Sequence, residues 1–292
     1  MLDLVKQTFK EWQEDKVPVL ASSLAYYTIF SLAPLLIIVI GIMSLFFSQG
    51  EAQSQLVAQI QGLFGEDVAG TIRTMIENRE QSGGNVLATV IGFLILIVGA
   101  TGVFVQLQNA LNQIWDVKPD PEGGGIMRII KVRLLSLGMV LVIGFLLLVS
   151  LVLSAVLSAL SGMLNGVLPG ADWLWNVLNF VISFGVIAGV FALMFKFVPD
   201  AQVAWRDVFI GGAVTALLFV IGKTLIGLYL GSSGVASSYG AAGSLVVLLL
   251  WVFYSAQIVL FGGEFTQVYA KRFGGGIKPD EHAVRAAGAT PS

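Results

Sequence analysis

The chain has 292 residues, 56% of them apolar and 12% charged, with a mean hydropathy of +0.86 and a formal net charge of −2. A soluble domain of this size has too little interior to hide that much apolar surface, so a water-soluble globule is excluded. No cysteine is present, which excludes disulfides, thiolate metal sites and cysteine nucleophiles, and the one histidine, His282, lies in a polar terminal segment.

Residues 2–16 set Leu2, Val5, Phe9 and Trp12 at helical spacing among charged neighbours. This predicts a short amphipathic helix on the cytoplasmic leaflet, with Trp12 at the headgroups and Pro18 ending it. Residues 1–20 are expected to form this N-terminal segment, 21–270 a membrane domain, and 271–292 a polar, Gly-rich, disordered cytoplasmic tail. Within the domain, six apolar runs cover roughly residues 24–47, 86–108, 134–160, 174–198, 206–230 and 242–265. Each is long enough to cross a hydrocarbon core of ~30 Å as a helix. The first is too long for a signal-peptide core and is expected to be retained as a span.

Pro34 interrupts the first run, removing a backbone donor and crowding the Phe30 carbonyl, so a kink is expected there. In the loop 48–85, Leu56, Ile60 and Leu63 repeat at helical spacing, as do Val68, Ile72, Met75 and Ile76, with Gly65 between the sets. Two short amphipathic helices capping the outer face are predicted. Loop 161–173 carries Pro169 and Gly170, with Trp173 and Trp175 at interface depth. Loop 231–244 is almost entirely small residues, either a flexible turn or backbone packed near the outer surface.

The basic residues orient these runs. Lys6, Lys10 and Lys16 precede the first run, and Lys118, Arg128, Lys131 and Arg133 fill the second gap. Lys196 and Arg206 flank the fourth, and Lys271, Arg272, Lys278 and Arg285 lie in the tail. Only Arg73 and Arg79 occupy the first gap, and the third and fifth hold none. Lys and Arg stay on the cytoplasmic side, so six spans with both termini inside satisfy the pattern. The expected fold is an all-α, polytopic integral membrane protein.

No phosphate-binding loop, zinc-protease helix or nucleophile elbow occurs. Asp116, Asp200 and Glu264 are the acidic candidates near the cytoplasmic interface, and no histidine joins them. The expectation is a non-enzyme with no cofactor, no metal and no nucleic-acid partner, its basic residues too thinly spread for a binding stripe. Membrane lipids are the expected partners, and a homo-oligomer is compatible with the sequence.

Polar side chains inside the runs mark candidates, because burying them in lipid is costly. Tyr254, Gln257, Phe261 and Glu264 share one helical face, and Gln106, Asn109 and Gln113 repeat that spacing. Ser22, Ser23, Tyr26 and Tyr27 open the first run. Two readings follow: a polar vestibule open to the cytoplasm, or interhelical hydrogen bonds contributing roughly 0.6–2 kcal/mol each. Lys223 lies about 25 Å along its helix from Arg206, either snorkelling to the outer headgroups or facing a cavity that attracts an anion. Lys223 and Tyr239 are the candidate outer gate. Pro34, Gly231, Gly234, Gly240 and Gly243 are the candidate hinges. Gly211, Gly212, Thr215 and Ala216 have the small-residue spacing of tight helix packing.

The segment DKVPVLASSLAYYTIFSLAPLLI at residues 15–37 resembles the first-span signature of the YihY/virulence factor BrkB family of bacterial inner-membrane proteins. LNQIWDVKP at 111–119 is similar to that family's turn after the second span. The stretches 199–230 and 238–270 resemble its C-terminal half, with Gly263 standing where the family pattern has alanine. The resemblance implies six helices and an envelope-related role, with transport of lipids or other envelope solutes. The family's old label, ribonuclease BN, finds no supporting residues here. Together these readings give a transporter or flippase for a lipid, amphiphilic or anionic substrate, without its own ATPase; a non-transporting scaffold or envelope-integrity protein is the alternative.

Overall fold

Apolar runs of this length satisfy their backbone internally only by coiling, and the computed structural model is mostly helical. It describes residues 2–43, 48–64, 66–80, 102–120, 138, 172–232, 234, 238–239 and 243–286. In chain order the elements are α1 (Leu2–Glu14), α2 (Val17–Met43), α3 (Gln49–Phe64), α4 (Glu66–Glu80), α5 (102–114), β1 (Val117–Pro119), α6 (Asp172–Phe197), β2 (Ala201–Gln202), α7 (Trp205–Ser232), α8 (Gly243–Phe273), β3 (Lys278–Pro279) and β4 (Ala283–Arg285). Among the described residues, three helices are long and apolar enough to cross a membrane, with spans at Phe180–Phe197, Trp205–Leu230 and Leu245–Phe273. The expected first run lies largely in α2, which continues as helix through position 34. The second run beyond its last residues, and nearly all of the third, lie outside the described residues.

The chain divides into two compact units. The first comprises Met1–Asp15, Leu111–Leu218 and Phe261–Ser292, and the second Lys16–Ala110 and Phe219–Leu260.

In the first unit, small residues bring helix backbones together. Gly211 faces Thr266 and Gly262 faces Thr215, so α7 and α8 each offer a glycine to the threonine of the other. The pairing runs in opposite directions along the two helices, which makes them antiparallel here. Each threonine hydroxyl donates to the carbonyl four residues back, Thr215 to Gly211 and Thr266 to Gly262, both at 2.7 Å. No hydroxyl is left wanting in this dry contact. On α7, Gly212 meets α6 instead: a Cβ there would lie 2.6 Å from the Ala188 carbonyl oxygen and 2.8 Å from the Ala192 nitrogen.

The tail departs from the expectation of disorder. Residues 271–273 complete α8, and Gly276, at φ 72, ends it with its N–H on the Ala270 carbonyl. β3 pairs antiparallel with β2, and β4 with β1, in the register Val117↔Arg285 to Pro119↔Ala283. Asp120 N–H to the His282 carbonyl and Asp280 N–H to the Asp200 carbonyl extend the stitching. The polar composition is that of an exposed strand whose partners come from distant loops. Residues 287–292 lie outside the description.

α1 is helical as the spacing predicts, but its buried residues are Leu4 and Thr8, whereas Val5 and Phe9 are exposed. Thr8 can face inward because its hydroxyl donates to the Leu4 carbonyl. Lys16 adopts φ 53, a left-handed residue that ends α1 before Pro18 enters the first turn of α2.

In the second unit, α3 and α4 form over the predicted stretches and pack together, burying Val57, Val68, Ala69, Ile72 and Ile76. A capping box starts α3: Ser48 N–H and hydroxyl both donate to Glu51, at 3.0 and 2.7 Å. Those bonds hold the Glu51 carboxyl below its ordinary range. Leu217, at the end of the first unit's part of α7, and Ile221, Leu225 and Leu228, in the second unit's part, form an exposed apolar stripe suited to lipid.

Gly212→Val would drive side-chain atoms into the α6 backbone. It is expected to destabilise the protein by about 1–3 kcal/mol, read as a lower thermal-unfolding midpoint in detergent. An unchanged midpoint would show that α6 and α7 do not approach this closely.

Candidate functional site

The polar groups that converge belong to the first unit and surround the C-terminal half of α8. Glu264, Gln267 and Lys271 follow one another at intervals of three and four residues, so they share a face. Glu264 is fully buried and Gln267 is 2% exposed. Against them lies the end of α5. The Trp115 indole N–H, itself buried, donates to the Gly263 carbonyl at 3.0 Å, and its ring packs on Phe195 of α6. A Cβ at Gly263 would sit 3.1 Å from Leu111 Cδ2, a methyl that can shift.

Asp116 follows Trp115 at φ 56, a left-handed conformation that aspartate tolerates. This turns the chain from α5 into β1. Asp116 Oδ2 accepts from Gln267 Nε2 and from Lys271 Nζ, both at 3.0 Å. The lysine pair is partly solvated and worth little by itself. It acts as a stop that holds Asp116 against α8.

α1 supplies the other side. Its last turn closes with Asp15 N–H on the Glu11 carbonyl, and Gln113 Nε2 donates to the Asp15 carbonyl at 2.9 Å. The Asp15 carboxyl lies beside that of Glu264. No backbone, amide or ammonium donor reaches either Glu264 oxygen, and Gln267 Oε1 also lacks a donor. Burial pushes the Asp15 carboxyl up to about 6; Asp116 and Glu11 add to this, while the Glu264 carboxyl and the charge of Lys271 oppose it.

A second polar link ties α5 to the loop after α6. Asn112 donates from Nδ2 to Asp200 Oδ2 at 2.9 Å and accepts the Asp200 N–H at 2.8 Å. Lys196 donates to the Val203 carbonyl and stands 5.5 Å over the Trp205 ring. Asp207, 1% exposed, lies where a side chain on Gly274 would be. Among the described residues, no group of three or more His, Asp or Glu is arranged to hold a metal.

Of the sequence candidates, Glu264 and Gln113 fall in this unit, Gln113 through the Asp15 carbonyl. Tyr26, Tyr27, Gln106, Asn109, Lys223, Tyr239, Tyr254 and Gln257 fall in the other. Tyr26 and Tyr27 are exposed, and Gly102 makes room for the Tyr27 ring. Tyr254 packs against Gly222 of α7, while Gln106, Lys223 and Gln257 are half-buried and Tyr239 is exposed. The expected polar face of α5 is corrected. Asn109 and Gln113 are exposed, and the buried polar residues are Gln108 and Asn112. They share the side that carries Leu111 and Trp115, so helix packing took the polar groups inward with the apolar ones.

Among the hinge candidates, Gly234 has φ 63, Gly231 lies within α7, Gly243 begins α8, and Gly240 is outside the described residues. Asp15 and Gln267 were missed. Asp15 reads as the charged end of an amphipathic helix, and Gln267 continues the Glu264 face by three residues, a signal that was available.

A family model described as virulence factor BrkB matches residues 8–287. The chain belongs to the BrkB family. A UPF0761 membrane protein of Pseudomonas aeruginosa (strain LESB58) is 32% identical over 254 residues, covering 85% of this chain and 58% of that protein. The chain therefore spans somewhat under three fifths of the length of the Pseudomonas aeruginosa relatives. A UPF0761 membrane protein of Alteromonas mediterranea is 30% identical over 284 residues, covering 97% of this chain and 92% of that one. One from Tolumonas auensis is 30% identical over 257 residues, covering 86% and 80%. No solved structure matches. With its long apolar helices, this BrkB-family chain is a membrane protein.

Between its ordinary value of 3.8 and about 6, folded Asp15 holds a proton that the unfolded chain has lost. Its contribution to stability is therefore fully present at low pH and is lost as pH rises through about 6. The unfolding midpoint in detergent should fall between pH 5 and pH 7, and Asp15→Asn should flatten that fall. An equal slope in wild type and variant would remove Asp15 as its source.

Proposed function

We propose that this BrkB-family protein is a transporter or flippase of the bacterial inner membrane, acting on a lipid, amphiphilic or anionic envelope-related substrate without an ATPase of its own. In this reading six helices span the bilayer with both termini inside, and α3 and α4 lie outside. α1 rests on the inner leaflet with Val5 and Phe9 toward lipid. The observation that carries it is Glu264, a fully buried carboxyl on a helix long and apolar enough to span, with a second carboxyl beside it. Burying an ionisable group in such a helix is costly, and structure alone gains nothing from it that Gln would not supply. The cytoplasmic entry would be formed around Tyr26, Asn109, Gln257 and Glu264, and the outer gate by Lys223 and Tyr239. Membrane lipids are the partners, and no catalysis, cofactor or nucleic acid enters the reading.

A scaffold role is the second reading, favoured by the backbone-close packing of α6, α7 and α8 at Gly211, Gly212 and Gly262. Fluorescent phosphatidylethanolamine and phosphatidylglycerol in proteoliposomes separate the two. Protein-dependent movement between leaflets, cut at least tenfold in the Glu264→Gln, Lys223→Ala double variant, is expected. Movement that survives both changes removes the site, and movement no faster than in empty vesicles favours the scaffold. Because the chain lacks cysteine, single cysteines placed in α3 and at residue 286 report sidedness by labelling. The α3 site is expected outside and residue 286 inside.

A further inference from the structure

The buried polar groups around α8 hold more acceptors than donors. Glu264 Oε1 and Oε2 and Gln267 Oε1 are buried without a donor, on residues 0% and 2% exposed. Asp116, by contrast, has both Gln267 Nε2 and Lys271 Nζ on one oxygen. Among the described residues the carboxyl beside Glu264 is that of Asp15, and two carboxyls form a hydrogen bond only when one of them carries a proton. Two bare carboxylates in contact would repel strongly in so dry a place.

We propose that Asp15 and Glu264 are a proton-binding site in which two carboxyl groups share one proton. This rests on the transport reading in one respect: the proton bound there is its coupling ion. The charged groups facing the pair are Glu11 from α1, Asp116 from the turn after α5, and Lys271 from α8 itself. Leu111 and Phe195 pack against α8 at Gly263 and bring no charge.

Lys271 answers Asp116 through a direct ion pair, so it does not serve as the donor that Glu264 lacks. A monovalent metal ion at the same place would face the Lys271 ammonium, and the described residues provide no carboxylate trio for a divalent one. A proton needs neither.

Chemically the site is simple. Protonated, the pair carries a single negative charge and holds the end of α1 against α8. On release the proton passes to water, no other bond changes, and two carboxylates are left side by side. Their repulsion loosens the last turn of α1, which is followed directly by the left-handed residue Lys16. The last turn of α1 then swings and admits water to Glu264. Binding the proton reverses each step. The Gln113 bond to the Asp15 carbonyl acts on the main chain, so it guides this movement without competing for the proton.

Infrared difference spectra of the full chain in lipid, taken between low and high pH, test the site without any substrate. A protonated-carboxyl C=O band that shifts in D2O and titrates with an apparent midpoint near or above 6 is expected. It should vanish in Glu264→Gln and be lost or displaced in Asp15→Asn, because one proton serves both groups. A titrating band that ignores both substitutions overturns the proposal. So does a band that responds to added sodium at constant pH, which would make the site a cation site. In the vesicle assay an imposed pH difference should change the lipid rate several-fold in wild type and not in Glu264→Gln. The shared band without lipid movement keeps the proton site and removes the transport reading. Lipid movement with no shared band does the reverse.

Discussion

Everything around the candidate site depends on how closely α8 approaches its neighbours. Gly262 and Thr215, with Gly211 and Thr266, let two helices meet with almost no side chain between them, and the Trp115 indole N–H donates to the Gly263 carbonyl of the same stretch. A helix packed that tightly leaves no room for water along its contact face. A carboxyl on the same stretch is therefore dry by construction, and its chemistry is set by whichever polar groups the surrounding elements bring. Here they bring another acid.

That arrangement is expensive in stability, and the protein offsets the expense locally. The amide of Gln267 and the ammonium of Lys271 satisfy Asp116, the Asn112–Asp200 exchange satisfies the loop between α6 and α7, and both threonine hydroxyls bond within their own helices. Among the described residues the unmet buried acceptors are Asp207 Oδ2, both oxygens of Glu264 and Gln267 Oε1, three of the four on one face of α8. That concentration on α8 points to use. Local violation of otherwise consistent rules is where function usually lies.

Much of the helical framework was legible in the sequence. Run lengths gave α6 and α7 to within two residues, but began seven residues late on α2 and stopped eight short on α8; helical periodicity gave α3 and α4, and the glycine spacing on α7 announced a close contact. Which side of α5 would be buried was not legible, because a polar-face argument assumes water or a cavity as the alternative environment. In a packed bundle Asn112 goes inward if a loop such as that at Asp200 meets it there. The tail was misread for a related reason. Its strands are two and three residues long, too short to carry an alternating pattern, and their partners lie far back in the chain. Glu264 was visible as an oddity, but Asp15 was not, since nothing local distinguishes it from any acid at the end of a surface helix.

The ladder between β1 and β4 also orders events in time. Val117 leaves the ribosome roughly 170 residues before its partner Arg285. At about 5–20 residues per second, the loop after α5 waits on the order of ten seconds or more for its complement. Until then Asp116 has neither Gln267 nor Lys271 to bond, and Asp15 has no Glu264. The acid pair likewise waits for α8, so a nascent chain stalled before α8 would hold Asp15 and Asp116 without Glu264.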